Sequence, residues 1–325
     1  MTTTFYSEIA ENKRQSVILA ILVGLIFGVL GFAIGYAFTG SAAGGFGATL
    51  IALAVAGLAS IGSYTAGDRL VLAASKATEI DEASAPQLFN VVRELTIAGG
   101  IPMPRLYLIE DSAPNAFATG RDPQHASIAV TSGLLQKMDR EELQGVLGHE
   151  LSHVRNYDIR FTLLVGVLVG GVALLSDFFL RWTFWFGGGR RSRNDNQGGG
   201  GLQAVFFIIA IVLAILAPIA SQLVQLAVSR QREYLADASS VQLTRNPNGL
   251  ERALATIAGD RDVLEVASRA TQHLYFTNPI KKFESRSAGL MSTHPPIVDR
   301  INRLRELSGD PPLDPADTAS LSGLD

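Results

Sequence analysis

Residues 141–158 read EELQGVLGHELSHVRNYD. Within them His149 and His153 lie four apart, with Glu150 directly after the first. Leu143, Val146, Leu147, Leu151 and Val154 recur at helical spacing. Asp139, followed three residues later by Glu142, is the start signal that such a helix needs. On that helix the two imidazoles sit one above the other and converge on one ion, and neutral imidazole is a normal zinc ligand. Glu150 is rotated from His149 by about 100°, so it reaches a water beside the ion more readily than the ion itself. Gly148, Leu151 and Val154 imply a partly buried helix, which speaks against two histidines on a solvated face.

The remainder of the 325-residue chain narrows the chemistry. It has no cysteine, which excludes a disulfide framework, a thiolate metal site and a cysteine nucleophile together. Any metal is therefore held by nitrogen and oxygen. The net charge of −3 offers no basic excess for nucleic acid. No GxSxG elbow and no GxxxxGK[ST] loop occur.

Residues 15–67 carry no charged side chain. A membrane-spanning helix needs roughly 20 mainly apolar residues, so this stretch predicts two, near Ser16–Phe38 and Ala48–Tyr64. The small-residue run TGSAAGGFG joins them. A cleaved signal peptide is the weaker reading, since its apolar region is about 7–15 residues and this first span is longer and followed by a second. Glycines at 24 and 28, and at 31 and 35, repeat a spacing that lets helices approach closely, and glycines scattered through an Ala/Gly-rich span fit the pattern equally. Two further apolar segments follow the histidine helix: Phe161–Ser176, continuing to Leu180 past Asp177, and Leu202–Ala220, which contains Pro218. Between them RWTFWFGGGRRSRNDNQGGGG reads as a flexible polar loop with Trp182 and Trp185 suited to a membrane interface. GDPPLDPADTASLSGLD reads as a disordered tail. The expected organisation is a hairpin over 1–67, a catalytic domain split between 68–158 and 230–308, a second helix pair over 159–229, and a tail over 309–325.

Catalytic zinc wants three protein ligands and one open position. In QLVQLAVSRQREYLADAS, Glu233 and Asp237 lie four apart on one helical face. Either can ligate while the other orients a histidine through its free N–H. An ordinary charged face, with Arg230 and Arg232, fits the same spacing.

HELSHVRNYD, SRQREYLAD and STHPPIVDRI, in that order, resemble the motifs of HtpX-type membrane zinc endopeptidases, relatives of the CAAX prenyl proteases. The resemblance covers most of the chain. It implies a mainly α-helical membrane protein with about four hydrophobic helices and a zincin-like α+β catalytic domain, its small sheet beside the histidine helix. It further implies that His149, His153 and Glu233 hold one Zn²⁺, that Glu150 is the catalytic base and that Asp237 supports a ligand. Peptide hydrolysis by activated water follows. The substrates are then membrane or damaged polypeptides, in quality control under stress.

SAPNAFATGRDPQHASIAVTSGLL predicts two short strands around the turn RDPQ. Such an edge can hold substrate by strand addition or be a purely structural hairpin; Asn115–Gly120 resembles the family stretch that serves substrate, which makes Asn115 a candidate contact. His294 is a candidate oxyanion donor or a helix-start residue before Pro295 and Pro296. Asn156 and Asp158 are either supports of the site or a solvated helix end, while His125 and His273 read as structural. Lys13 and Arg14 before the first span, and Arg69 and Lys76 after the second, predict a cytoplasmic catalytic domain in a prokaryotic cytoplasmic membrane. Arg181, Arg190, Arg191 and Arg193 oppose that rule if the later pair fully crosses. The competing class is a membrane scaffold or transporter with a structural metal site; transporters carry ionisable residues within spans, and the first two spans have none. Oligomeric state is not legible.

Overall fold

The computed structural model describes residues 5–186, 200–260, 262, 276 and 295–317. The chain divides into two compact units, one of residues 13–63 and 164–225, the other of residues 1–12, 64–163 and 226–325.

The first unit is built from four long helices: α1 (Phe5–Thr39), α2 (Ala42–Ala74), α6 (Asp158–Phe186) and α7 (Gly200–Thr244). Among the described residues three segments are long and apolar enough to cross a membrane: Ile21–Thr39, Ala42–Gly62 and Ala204–Ser221. Leu25, Leu50, Ile51 and Leu58 are each more than 60% exposed, an arrangement that only a lipid environment makes favourable. The joint between α1 and α2 is shorter than its composition predicts. Gly40, with φ 67°, ends α1, and Ser41 Oγ accepts the Gly44 N–H at 3.2 Å to start α2, so AAGGFG is helical. The glycines are needed there. A Cβ on Gly35 would lie 2.5 Å from Ala48 Cβ and 2.6 Å from Gly44 O, and one on Gly31 would lie 3.3 Å from Ala52 Cβ. Gly24 has nothing within 4 Å, so only the second half of the glycine repeat serves close approach. Aromatic contacts complete the packing, with Tyr36 and Phe206 ring centroids 4.1 Å apart and Phe38 edge-on to Phe179 at 5.8 Å. α6 continues through Phe186, so the first part of the expected polar loop is helical, while 187–199 lie outside the described residues.

Among the described residues the second unit holds a four-stranded sheet in the order β1-β2-β4-β3. Its strands are β1 (Thr78–Glu79), β2 (Arg105–Ile109), β3 (Ala116–Gly120) and β4 (Ala126–Thr131). β2 and β4 are parallel; β3 and β4 form an antiparallel hairpin in which Phe117 faces Ala129. Asp122 accepts the His125 N–H at 2.9 Å and shapes the turn between them. Among the described strands β3 lies at an edge of this sheet.

Helices α3 (Pro86–Gly99), α4 (Ser132–Lys137), α5 (Arg140–Arg155), α8 (Pro247–Gly259) and α9 (Ile297–Ser308) pack around it. α5 starts where the sequence predicts: Asp139 accepts the Glu142 N–H at 2.8 Å, and Glu142 returns the bond to the Asp139 N–H at 2.9 Å. Leu143, Val146, Leu147 and Leu151 of α5 share one buried core with Leu88, Val92, Leu95, Leu250 and Leu254. Each such side chain stabilises the fold by roughly 1.5–3 kcal/mol. Gly145 lets α8 lie directly on α5, since a Cβ there would meet Leu250 N at 2.6 Å. Ser240 of α7 donates to Gly145 O at 2.7 Å, anchoring the C-terminal part of α7 to α5. After α9, the Leu313 N–H donates to Asn302 Oδ1 at 2.9 Å and its side chain packs on the core.

Candidate metal centre

α5 presents His149 and His153 one turn apart, their Nε2 atoms 3.1 Å from each other and their rings at 88°. α7 supplies Glu233, whose Oε2 lies 3.6 Å from His149 Nε2 and whose Oε1 lies 3.5 Å from His153 Nε2. The three ligand atoms lie within 4.8 Å of one another. Bonds of about 2.0–2.2 Å at tetrahedral angles place ligand atoms about 3.3 Å apart. Two imidazole nitrogens and one carboxylate oxygen at these separations fit a zinc ion.

Asp237, one turn beyond Glu233, takes the other side of His149: its Oδ1 accepts from Nδ1 at 2.8 Å. This distinguishes the two carboxylates that spacing left equivalent, because Glu233 faces both Nε2 atoms and Asp237 faces Nδ1. Asp237 is itself gripped by Arg300 of α9, whose Nη2 and Nε donate at 2.7 and 2.9 Å. Arg300 is fully buried, donates through Nη1 to the Phe276 carbonyl at 3.3 Å, and stacks on the Phe276 ring at 4.7 Å. The Phe276 ring stands edge-on to His149 at 4.8 Å, and its N–H donates to Ala116 O of β3 at 2.8 Å.

The electrostatics follow from these contacts. Burial pushes the Asp237 carboxyl up, but Arg300 and the His149 bond outweigh it and hold it at about 2. Glu150, 2% exposed, is pushed up by burial against the pull of His149 and His153, and the Ala118 N–H of β3 faces its carboxylate. Burial lowers His153, yet its bonds to Asp158 and Glu233 raise it well above 6.5 in the metal-free site.

Other residues singled out in the sequence fall as follows. Asn115 is 3% exposed; its Oδ1 accepts the Ala116 N–H at 3.0 Å and its own N–H donates to Thr131 Oγ1 at 2.9 Å. His125 bonds Asp122 on the surface. Asn156 is buried at the end of α5, and Asp158 is buried with its Oδ2 3.1 Å from His153 Nδ1. His294 and His273 lie outside the described residues. Arg300 carries no role in the sequence reading, although a signal exists: it falls on the apolar face of α9 formed by Ile297, Ile301 and Leu304. Arg232, a plausible solvated charge by spacing, is 4% exposed.

Residues 82–308 match the description of peptidase family M48. The chain belongs to peptidase family M48. A protease HtpX homolog from Streptococcus thermophilus (strain CNRZ 1066) is 42% identical over 302 residues, covering 93% of this chain and 99% of that one. Another from Lactobacillus acidophilus is 43% identical over 304 residues with the same coverage. The crystal structure of S. mikatae Ste24p aligns over 79% of this chain and 64% of its own, at 19% identity and a TM-score of 0.43. M48 membership and the apolar helices make the protein an integral-membrane metallopeptidase, a hydrolase of peptide bonds.

Proposed function

We propose that His149, His153 and Glu233 hold one zinc ion and that Glu150 is the general base of an endopeptidase. The observation that carries this reading is the convergence of the three ligand atoms within 4.8 Å, with Glu150 buried on the same turn of α5. When bound, zinc polarises the scissile carbonyl and acidifies water. Glu150, its carboxyl raised by burial, takes a proton from the attacking water and delivers it to the departing amine. Asp237 holds the His149 Nδ1–H, which keeps Nε2 free to ligate. Extended substrate main chain adds to the β3 edge beyond Ala116, whose carbonyl accepts the Phe276 N–H and whose own N–H is held by Asn115 Oδ1. His294, in the family's HPP motif, remains a candidate oxyanion donor.

The substrates in this reading are membrane or damaged polypeptides, cleaved under stress by a catalytic unit on the cytoplasmic face of the cytoplasmic membrane. Lys13, Arg14, Arg69 and Lys76 flanking the first helix pair support that orientation. Labelling of Ser192→Cys by an impermeant thiol reagent in intact cells is expected; protection would overturn two full crossings by α6 and α7. Metal analysis tests the ligand set: about one zinc per chain in the wild type, lost in Glu233→Gln. Full zinc content in that variant would overturn it.

A further inference from the structure

His153 rests on a second relay, separate from the one behind His149. Asp158 lies with Oδ2 3.1 Å from His153 Nδ1, and its other oxygen, Oδ1, lies 3.2 Å from Arg232 Nη1. The Arg232 guanidinium carbon sits 3.4 Å over the Phe161 ring. Asp158 and Arg232 are both buried, at 3% and 4% exposure. Tyr157, between the end of α5 and the start of α6, has a left-handed backbone, φ 63°, and the next residue, Asp158, meets His153. A non-glycine residue held there is strained, and such strain concentrates at functional sites.

We propose that Asp158, held by Arg232, is the positioning residue for His153, so that two Arg–Asp–His relays converge on one ion. Arg300–Asp237 fixes His149 and Arg232–Asp158 fixes His153, each through Nδ1, leaving both Nε2 atoms aimed at the same point. A carboxylate on Nδ1 sets the tautomer, fixes ring rotation and strengthens the metal bond at Nε2. Each arginine offsets the burial of its aspartate's charge. With both arginines, both aspartates, Glu233 and an ionised Glu150, a divalent cation brings the buried charge to zero, the condition under which such a site tolerates burial. The fold places these supports at the ends of the membrane-directed helices. Asp158 and Phe161 open α6, while Arg232 shares α7 with Glu233 and Asp237. A displacement of α7 therefore moves one ligand and a support of each of the other two.

The inference rests on the zinc assignment proposed above, and the test separates the two. Zinc affinity is measured by competition with a chromophoric chelator, and ligand geometry by the visible spectrum of the cobalt(II)-loaded protein. Asp158→Asn is expected to weaken zinc binding by about 10–100-fold and to alter the cobalt spectrum. Asp158→Asn combined with Arg232→Gln leaves no buried guanidinium unpaired, keeps the protein foldable, and is expected to show the same loss. Wild-type affinity within about twofold and an unchanged cobalt spectrum in either folded variant would overturn the positioning role alone. Failure of the wild type itself to bind either metal would overturn the zinc assignment.

Discussion

Asp237→Asn removes one negative charge from the centre of the buried network and leaves its shape. The wild-type carboxyl is held from 3.8 down to about 2, and a pKa unit is worth about 1.4 kcal/mol. The ionised form is thus favoured by about 2 kcal/mol after burial has taken its share. The variant loses that and also leaves the fully buried Arg300 facing a neutral amide, with Glu233 at 3.8 Å as its nearest remaining anion among the described residues. Breaking a buried pair costs about 3–5 kcal/mol, and the residual Glu233 contact places the expected loss near 3 kcal/mol. For a unit of this size that lowers the metal-free unfolding temperature by about 6–12 °C, read by calorimetry in detergent with excess chelator. Acid supplies an independent check. A depressed carboxyl contributes stability that is complete above the unfolded value of 3.8 and is lost as pH falls toward about 2. Wild type should lose its margin over the variant across that window. A fall of less than about 2 °C, with parallel acid profiles, would refute the reasoning.

Gly35→Leu should abolish accumulation of folded protein or sharply lower its thermal stability, since even a Cβ there meets Ala48 at 2.5 Å; Gly24→Leu, facing open space, should be neutral. Comparable stability of the two in detergent would contradict the close approach of α1 and α2. Gly145→Ala should destabilise the catalytic unit by about 1–3 kcal/mol, the usual cost of overpacking, because α8 backbone lies 2.6 Å from the added carbon; an unchanged calorimetric transition would count against that contact. His153 in the metal-free site is raised well above 6.5 by Asp158 and Glu233. Its charged form stabilises the metal-free protein fully below 6.5, and that contribution disappears as pH rises through the raised value. Zinc loading at pH 7 should accordingly release about one proton, seen as a dependence of the binding enthalpy on buffer ionisation; no such dependence would contradict it.

The histidine face, its cap and the hairpin beside it were legible because each depends on local periodicity: Asp139 with Glu142, the apolar positions of α5, and the RDPQ turn. The choice between Glu233 and Asp237 was not, since residues four apart share a face and only tertiary placement tells Nε2 from Nδ1. Arg232 resembles a solvated charge and Arg300 shows in the sequence only as a charge on the apolar face of α9; each acquires its meaning from a carboxylate far along the chain. The α1–α2 joint misled in the other direction. Small residues that read as a loop are helical because two backbones cross at Gly35 and Gly44 with no room for side chains.

Cleavage of casein by purified, zinc-reconstituted protein, wild type against Glu150→Gln, is the most direct measurement. The expected result is proteolysis by the wild type and its loss in the variant, with zinc content equal in the two. Equal proteolysis by both at equal zinc would contradict Glu150 as the base and, with it, the assignment of this buried cluster as the peptidase centre.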